Sequence, residues 1–193
     1  MAKRESILEL LDLFTGETET LARFDRNIEA PDIRGEVHPL AVTEGAVLQL
    51  GEGSRILPGT VIEGRVRIGK NCKIGPNAYL RGFVSVGDNC VVGNAVELKN
   101  TKLGNGAFVS HLSYIGDSVL RDDINVGGGC IFSNFRHDAG EIRMPWGGEL
   151  RRTGRTKLGC CIGAHARIGC KCVILPGRVL PAGVWTEPGS VIR

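Results

Sequence analysis

The sequence predicts an all-β fold in which short strands wind into a triangular, parallel coil. Two observations support this prediction, and both concern a six-residue period. A small or β-branched residue follows each repeated aliphatic residue by four positions, from Ser54 to Val96. The aliphatic residues keep a strict spacing of six over nine members: Leu50, Ile56, Ile62, Ile68, Ile74, Leu80, Val86, Val92 and Leu98.

The third observation concerns the corners between strands. Gly or Asn, the residues that best tolerate positive φ in tight turns, occupies the corner positions Gly53, Gly59, Asn71, Asn77 and Asn89. Each six-residue unit is therefore one short strand and one corner, and three units close a coil. Coils stacked roughly 4.8 Å apart bury a thin core while their backbones pair with the coils above and below. About six such coils fit into the chain from the first repeat onward.

The period is interrupted in two ways. The spacing contracts to five residues at Leu103 and again at Leu120. It stops after Phe132, which leaves residues 133–157 as an inserted loop before the period resumes. A loop of this length in a compact domain is more often functional than accidental. We therefore expect it to cover the functional site.

The first 45 residues lack the period and predict a short helical segment with a linker. Ser6 and Glu9 form an S-x-x-E capping box, and apolar residues up to Phe14 share one helical face. Residues 1–45 are therefore predicted to be an N-terminal helical and linker segment, and residues 46–193 to form the β-helix domain.

Composition narrows the class of partner. The formal net charge of +3 and the absence of a separate Lys and Arg run argue against nucleic acid, so we expect a small-molecule partner. No apolar run approaches the roughly 20 residues that cross a membrane. The apolar stretch near the N-terminus contains Glu9 and Asp12, unlike the core of a signal peptide. We expect a cytoplasmic protein with no membrane partner.

Seven cysteines are an odd number for a disulfide framework, which is typical of a reducing compartment. Four of them fall where the repeat places a small inward-facing residue, so they are expected in the core: Cys72, Cys90, Cys130 and Cys172. A zinc site near the C-terminus is disfavoured, because the C-C-x8-C-x-C spacing that starts at Cys160 lacks the C-x2-C pairs of structural zinc sites. We expect no metal requirement.

Several separated motifs resemble one enzyme family. The runs IGKNCKIGPNAYLRG, VGNAVELKN, SHLSYIGDS, INVGGG and SNFRHD, with the T-G-R-x-K-L-G run from Thr153 to Gly159, are similar to the acetyltransferase half of the bifunctional sugar-1-phosphate nucleotidylyltransferase/acetyltransferases, in particular their archaeal branch. The resemblance implies a left-handed β-helix, acetyl-CoA as the acyl donor and a homotrimer with its site between neighbouring chains. No Gly-rich nucleotide loop precedes the repeats, so nucleotidyl transfer is not expected.

The resemblance also implies roles for individual residues. His111, in the H-L-x-Y motif, would be the general base that deprotonates the sugar amine, for which an imidazole is suited because its unperturbed pKa lies near working pH. Arg81 and Lys99 would hold the substrate's phosphate. The sugar would be bound by Glu97, Tyr114 and Asn125.

The remaining roles concern the acyl group and its carrier. Asn134 would contact the amine or the acyl group, and the backbone of Gly128, between Gly127 and Gly129, would stabilise the oxyanion of the thioester carbonyl. Phe135 replaces the tyrosine of the bacterial enzymes, so a hydroxyl contact there is lost. The loop arginines Arg143, Arg151, Arg152 and Arg155 could hold phosphates of CoA or of the sugar. We assign Arg152 and Arg155, together with Gly127 and Gly129, to cofactor binding.

Other interpretations remain open from the residues alone. His111 could be an exposed surface histidine, Arg81 and Lys99 solvated charges, Asn125 a corner residue and the three glycines simple turns. The chain could also be a non-catalytic partner that binds a nucleotide sugar or regulates a separate nucleotidyltransferase. The zinc carbonic anhydrases with this kind of fold are excluded, because the four histidines, His38, His111, His137 and His165, lack the close spacing of such a site.

Overall fold

The structure is a computed structural model, and it describes Ile28, residues 30–146 and residues 148–193. The predicted helix from Ser6 to Phe14 lies outside these residues. Within them the chain forms a parallel β-helix with three faces, which confirms the predicted all-β architecture. No helix in the described part of the chain is long and apolar enough to cross a membrane.

Two of the three faces share one 13-stranded sheet. The Tyr114 face consists of the first halves of β5 (Val61–Ile68) and β7 (Tyr79–Val86), followed by β9 (Glu97–Lys99), β12 (Tyr114–Gly116), β15 (Ile131–Phe132), β20 (Val173–Ile174) and β22 (Val191–Ile192). The Val119 face consists of the second halves of β5 and β7, with β1 (Asp32–Ile33), β3 (Val47–Leu50), β10 (Lys102–Leu103), β13 (Val119–Leu120), β18 (Cys161–Ile162) and β21 (Val179–Leu180).

The third face, the His111 face, is a separate 7-stranded sheet with one strand from each successive coil. Its strands are β2 (Glu36–Val37), β4 (Arg55–Ile56), β6 (Lys73–Ile74), β8 (Val91–Asn94), β11 (Phe108–His111), β14 (Asn125–Val126) and β19 (Arg167–Ile168).

The strand register reproduces the period read from the sequence. Val61 pairs with Tyr79, so one coil is 18 residues long at this point. Leu103 pairs with Leu120, a coil of 17 residues, which confirms the predicted five-residue contractions. The predicted corner residues also have positive φ, at 73° for Gly53, 69° for Gly59, 54° for Asn71 and Asn77 and 58° for Asn89.

The core is the thin column of side chains inside the coils. All nine repeated aliphatic residues, from Leu50 to Leu98, are at most 2% exposed. Full burial of each such side chain stabilises the fold by about 1.5–3 kcal/mol. The four cysteines predicted to face inward are also buried, at 2% for Cys72 and 0% for Cys90, Cys130 and Cys172.

The coil starts earlier than residue 46, where the sequence placed the domain boundary. Asp32 pairs in parallel with Gln49, and Glu36 pairs with Arg55. These strands are only two residues long, and their partners lie 17 and 19 positions away, so no six-residue period marks them. The region after residue 31 therefore belongs to the β-helix and is not a linker.

The inserted loop contains an antiparallel hairpin formed by β16 (Arg143–Trp146) and β17 (Glu149–Arg152). Its side chains Ile142 and Met144 are 1% exposed and form a small apolar cluster with Val119, Cys161 and Leu158. Within one chain the hairpin therefore packs on the Val119 face. Its buried side chains in the described residues lie on this face and not on the face that carries Tyr114, contrary to our expectation from loop length.

Candidate active site

The outward side chains of the Tyr114 face form two adjacent polar columns. Strand register stacks Tyr79, Glu97 and Tyr114 in one column. The neighbouring column contains Glu63, Arg81 and Lys99. Four residues predicted to bind the substrate thus lie on one flat surface because the coils stack in register: Arg81, Glu97, Lys99 and Tyr114.

Arg81 is fixed by two residues of the adjacent column, Glu97 and Tyr79. Its Nη2 lies 2.6 Å from Glu97 Oε1, and its Nε donates to the same oxygen at 2.8 Å. The guanidinium carbon also lies 5.5 Å from the centroid of the Tyr79 ring, within the range of a cation–π interaction. Tyr79 in turn donates its hydroxyl proton to Glu63. The guanidinium is therefore oriented before any ligand binds.

A carboxylate at the next corner holds the other half of the cluster. Asp117 accepts hydrogen bonds from Lys99 Nζ at 3.2 Å and from Asn100 Nδ2 at 2.8 Å, and a short one from the Asn134 amide. The Lys99 and Asp117 side chains are only 19% and 12% exposed. Asp117 has φ 47° at a corner and resembles an ordinary turn residue, so no pattern in the sequence marks it as part of the site.

Tyr114 and Asn134 meet above Gly116. A Cβ at Gly116 would lie 2.4 Å from the Tyr114 hydroxyl and 2.8 Å from Asn134 Nδ2, so only glycine leaves room for this contact. Burial raises the pKa of Tyr114, and the charges of Asp117 and Glu97 raise it further. The phenol therefore stays protonated and can donate a hydrogen bond.

His111 lies at the end of β11, on the corner that leads into the Tyr114 face. The following residue, Leu112, has φ 50° and is 63% exposed. The imidazole is exposed, and it makes no hydrogen bond within the described residues, whereas the His111 carbonyl accepts from Gly129 N at 3.1 Å. The predicted base is therefore accessible to a substrate, but the described part of the chain supplies no hydrogen-bonding group that orients its ring.

The three glycines after β14 differ in what their positions require. A Cβ at Gly127 would lie 2.5 Å from the backbone nitrogen of Cys170, and Gly129 has φ 75°, so both are needed for the path of the chain. Gly128 has neither constraint, since its nearest neighbour would be His111 Cβ at 3.4 Å. This backbone beside His111 is therefore open to a ligand.

Three predicted site residues are not brought to this cluster by the single chain. Asn125 is exposed on the His111 face, where it pairs with Phe108 and Arg167. Arg152 is on the hairpin and pairs with Glu141 at 2.6 Å. The backbone N–H of Arg155 bonds to Thr153 Oγ1 at 3.2 Å, and its carbonyl accepts from Ile142.

The side chains that bind metal ions in proteins are His, Cys, Asp and Glu, and their positions bear on the predicted absence of a metal site. No three His, Cys, Asp or Glu side chains in the described residues are grouped so that they could hold a metal ion. Near the C-terminus, Cys160, Cys161 and Cys172 are buried whereas Cys170 is exposed.

Comparison with known proteins shows which sequences and structures this chain is similar to. The bacterial transferase hexapeptide family (six repeats) matches residues 48–82 and 65–100. The chain is 39% identical over 99 residues to a bifunctional sugar-1-phosphate nucleotidylyltransferase/acetyltransferase of Sulfurisphaera tokodaii, across 51% of this chain and 25% of that protein. It is 34% identical over 182 residues to the bifunctional protein GlmU of Methanococcus aeolicus, across 94% of this chain and 43% of that protein.

Two further similarities are to another protein sequence and to a solved structure. A putative uncharacterized acetyltransferase, YaiX of Escherichia coli K12, is 34% identical over 151 residues, across 78% of this chain and 65% of that protein. Among solved structures, the acetyltransferase domain of PglB from Neisseria gonorrhoeae in complex with acetyl coenzyme A is 17% identical, with a TM-score of 0.34 over 79% of this chain and 54% of that chain. The chain spans less than two thirds of each of these proteins.

The stacked six-residue coils define a hexapeptide-repeat β-helix with a polar cluster on one face. The chain is similar to the bacterial transferase hexapeptide family over residues 48–82 and 65–100, and to the acetyltransferase part of the bifunctional GlmU-type proteins.

Proposed function

We propose that this chain transfers the acetyl group of acetyl-CoA to the amine of an amino-sugar 1-phosphate, either glucosamine-1-phosphate or galactosamine-1-phosphate. The observation that supports this most directly is the in-register cluster of Arg81, Glu97, Lys99 and Tyr114, which Asn134 joins through Asp117. It offers fixed cations for a phosphate and a protonated phenol and carboxylate for sugar hydroxyls.

His111 is the general base in this proposal. Its imidazole takes a proton from the sugar amine as the amine nitrogen attacks the thioester carbonyl. The C–N bond forms, the C–S bond breaks, and the imidazolium returns its proton to the departing thiolate. The N–H of Gly128 stabilises the carbonyl oxygen as it becomes negative.

Phosphate binding requires a rearrangement of charge. The five ionisable side chains of the cluster, Glu63, Arg81, Glu97, Lys99 and Asp117, carry a formal charge of −1 in total. A phosphate can therefore bind Arg81 only if Glu97 leaves the guanidinium. Glu97 then accepts hydrogen bonds from the sugar hydroxyls. Its carboxylate therefore pairs with Arg81 in the free protein and with the sugar in the complex.

The flat Tyr114 face cannot enclose a substrate alone, so we propose a homotrimer with the site between neighbouring chains. Three large apolar side chains flank the His111 corner and are partly exposed, at 43% for Phe108, 63% for Leu112 and 40% for Ile131. Such a group of exposed apolar residues is typical of an interface. Light scattering of the purified chain tests this, and a monomer at micromolar concentration would contradict it.

The activity is tested by following free thiol release from acetyl-CoA with a panel of acceptors. The panel contains glucosamine-1-phosphate, galactosamine-1-phosphate, both amino sugars without phosphate, and N-acetylglucosamine-1-phosphate, whose amine is blocked. We expect turnover with one phosphorylated amine, weaker turnover without the phosphate and none with the blocked amine. Thiol release that does not depend on a free amine would overturn the proposal.

A non-catalytic role is the second candidate, because the free chain neutralises Arg81 and Lys99 internally and leaves the His111 ring without a hydrogen-bonded partner in the described residues. In that role the chain binds a nucleotide sugar or regulates a separate nucleotidyltransferase. Saturable binding of the sugar phosphate with no thiol release would favour this function over catalysis.

A further inference from the structure

Tyr79 links Glu63, in the preceding coil, to Arg81, two positions further along β7. Tyr79 and Arg81 point outward on the same face, because side chains two positions apart on a strand share a face. Strand register places Glu63 beside Arg81 and Tyr79 beside Glu97. Two diagonal contacts, from Tyr79 to Glu63 and from Arg81 to Glu97, join the four side chains into one continuous chain.

Two groups of different chemistry support the Arg81 guanidinium. Glu97 Oε1 accepts hydrogen bonds from Arg81 Nη2 at 2.6 Å and from Nε at 2.8 Å. Tyr79 instead attracts the guanidinium through its ring, whose centroid lies 5.5 Å from the guanidinium carbon. A phosphate accepts hydrogen bonds from guanidinium N–H groups and therefore competes with Glu97. It does not compete with the ring, because the ring accepts none of the N–H hydrogen bonds described here.

The Tyr79 ring is itself held at its hydroxyl end. The hydroxyl donates its proton to Glu63 Oε2, and this hydrogen bond raises the pKa of Tyr79, so the phenol remains a donor. Glu63 belongs to the coil before Tyr79, whereas Glu97 belongs to the coil after it. The contact that holds the ring is therefore kept when Glu97 leaves Arg81.

Arg81 needs such a support in the complex with a substrate. Its side chain is 35% exposed, so without Glu97 it would gain freedom to adopt other rotamers. Binding of a phosphate would then have to order a long, flexible side chain, which lowers affinity. A ring that keeps the guanidinium in place removes part of this cost.

We propose that Tyr79 is a positioning residue, which holds Arg81 ready for the acceptor's phosphate when Glu97 turns to the sugar, and that Glu63 fixes the Tyr79 ring. This inference rests on the proposed function and deepens it. It adds a group that acts on the phosphate only through Arg81. The ring of Tyr79 should therefore affect the affinity for a sugar phosphate as long as Arg81 is present.

Calorimetric titration with glucosamine-1-phosphate and galactosamine-1-phosphate, without an acyl donor, tests this proposal. Tyr79→Leu removes the ring, and Tyr79→Phe keeps the ring without its hydroxyl. Phe83→Leu is the matched control, because Phe83 is a partly exposed ring on the same strand that pairs with Arg65 on the Val119 face. We expect Tyr79→Leu to raise Kd by about two- to fivefold, with Tyr79→Phe nearer to the wild type and Phe83→Leu unchanged.

A double-mutant cycle separates positioning from a general structural effect. In the Arg81→Met background, Tyr79→Leu should have no further effect on Kd, because the guanidinium that the ring positions is gone. Thermal melting provides a second control. Tyr79 points outward, so Tyr79→Leu should melt at the same temperature as Phe83→Leu.

The outcomes distinguish this inference from the proposed function. If the wild type binds neither sugar phosphate, both are overturned. If the wild type binds one of them, three results overturn the role of Tyr79 and leave the proposed function intact. These are an unchanged Kd in Tyr79→Leu, an equal loss in the Arg81→Met background, and a melting temperature of Tyr79→Leu below that of Phe83→Leu. A Tyr79→Phe variant as weak as Tyr79→Leu would also contradict the role of the ring.

Discussion

The Oδ2 atom of Asp117 lies 3.2 Å from the Nζ atom of Lys99 and also accepts a hydrogen bond from the Asn134 amide. One corner carboxylate thus joins a cation on the Tyr114 face to the first residues of the inserted loop. The loop returns to the same corner, where Leu158 N donates to the Asn134 carbonyl at 2.9 Å. Asp117 therefore positions two residues of the proposed site.

Replacing Asp117 by Asn should reduce activity without unfolding the coil. Lys99 loses its counter-charge and Asn134 loses its anionic acceptor, so we expect kcat/KM for acetyl transfer to fall by about tenfold or more. The matched control is Asp123→Asn, because Asp123 also has a positive φ, 53°, and pairs with Arg167 at 2.9 Å on another corner. Wild-type kinetics in Asp117→Asn, or an equal loss in both variants, would show that Asp117 has no special role.

Arg81→Met should raise KM only for phosphorylated acceptors. The substitution keeps much of the apolar stem but removes the charge that the phosphate requires, so we expect about a tenfold rise in KM for the amino-sugar 1-phosphate. KM for the same sugar without phosphate should change little. Steady-state kinetics with both acceptors measure this.

The control for Arg81 is Arg55→Met on the His111 face, where Arg55 forms an exposed pair with Glu36 at 3.1 Å. It should leave both KM values unchanged. If Arg81→Met affects the two acceptors equally, Arg81 acts through the structure of the face and does not bind the phosphate.

Gly177→Ala should loosen the hairpin from the coil. The new Cβ would lie 2.4 Å from the Arg143 carbonyl oxygen and 2.7 Å from Ile142 Cγ2. Gly183→Ala is the matched control, because Gly183 has φ 70° but no atom within 4 Å of an added Cβ.

Both substitutions incur the cost of a left-handed backbone, about 1 kcal/mol, and Gly177→Ala adds overpacking of about 1–3 kcal/mol. Urea denaturation at one protein concentration should therefore give a lower free energy of unfolding for Gly177→Ala than for Gly183→Ala. Equal free energies of unfolding for the two variants would mean that the Arg143 and Ile142 atoms do not crowd a Cβ at residue 177.

The hairpin should weaken in acid. The Arg152 guanidinium holds the pKa of Glu141 below its ordinary value of 4.5, and the Gly154 N–H contributes further. A carboxyl whose folded pKa is lowered stabilises the fold fully above its unfolded pKa, and this stabilisation is lost as pH falls through the folded value. The loss should therefore begin near pH 4.5 and be complete only below the folded pKa.

Nuclear magnetic resonance can follow this titration at Gly154, whose N–H donates to Glu141 Oε1 at 2.6 Å. We expect its amide shift to titrate below pH 4.5 in the wild type and to be flat in Glu141→Gln. A midpoint above 4.5 would contradict the ion pair.

The repeat made most of the fold predictable. A six-residue period specifies which side chains point inward, and Gly and Asn identified corners that proved to have positive φ, such as Asn71 and Asn89. In-register stacking places residues one coil apart side by side, and it brings together Arg81 and Lys99, which the resemblance had assigned to the same phosphate. The short strands β1 and β2 were missed because their side chains do not repeat.

The rest of the site depends on contacts that have no period. Asp117 occupies a corner like any turn residue, and only the structure shows that three donors converge on it. Likewise, loop length indicated function, but the docking of Ile142 and Met144 on the Val119 face depends on packing against Cys161 and Leu158. The order of the family motifs along the chain also did not reveal that Asn125 and Tyr114 lie on different faces of the β-helix.

The most direct test of the account is the rate of acetyl transfer by His111→Ala. His165→Ala is its matched control, because His165 is also an exposed corner histidine, with φ 60°, but pairs with Asp123 away from the site. With acetyl-CoA and the preferred amino-sugar 1-phosphate, we predict that His111→Ala lowers kcat by at least about 100-fold and His165→Ala leaves it unchanged. A His111→Ala enzyme with kcat within about threefold of the wild type would contradict the assignment of His111 as the general base.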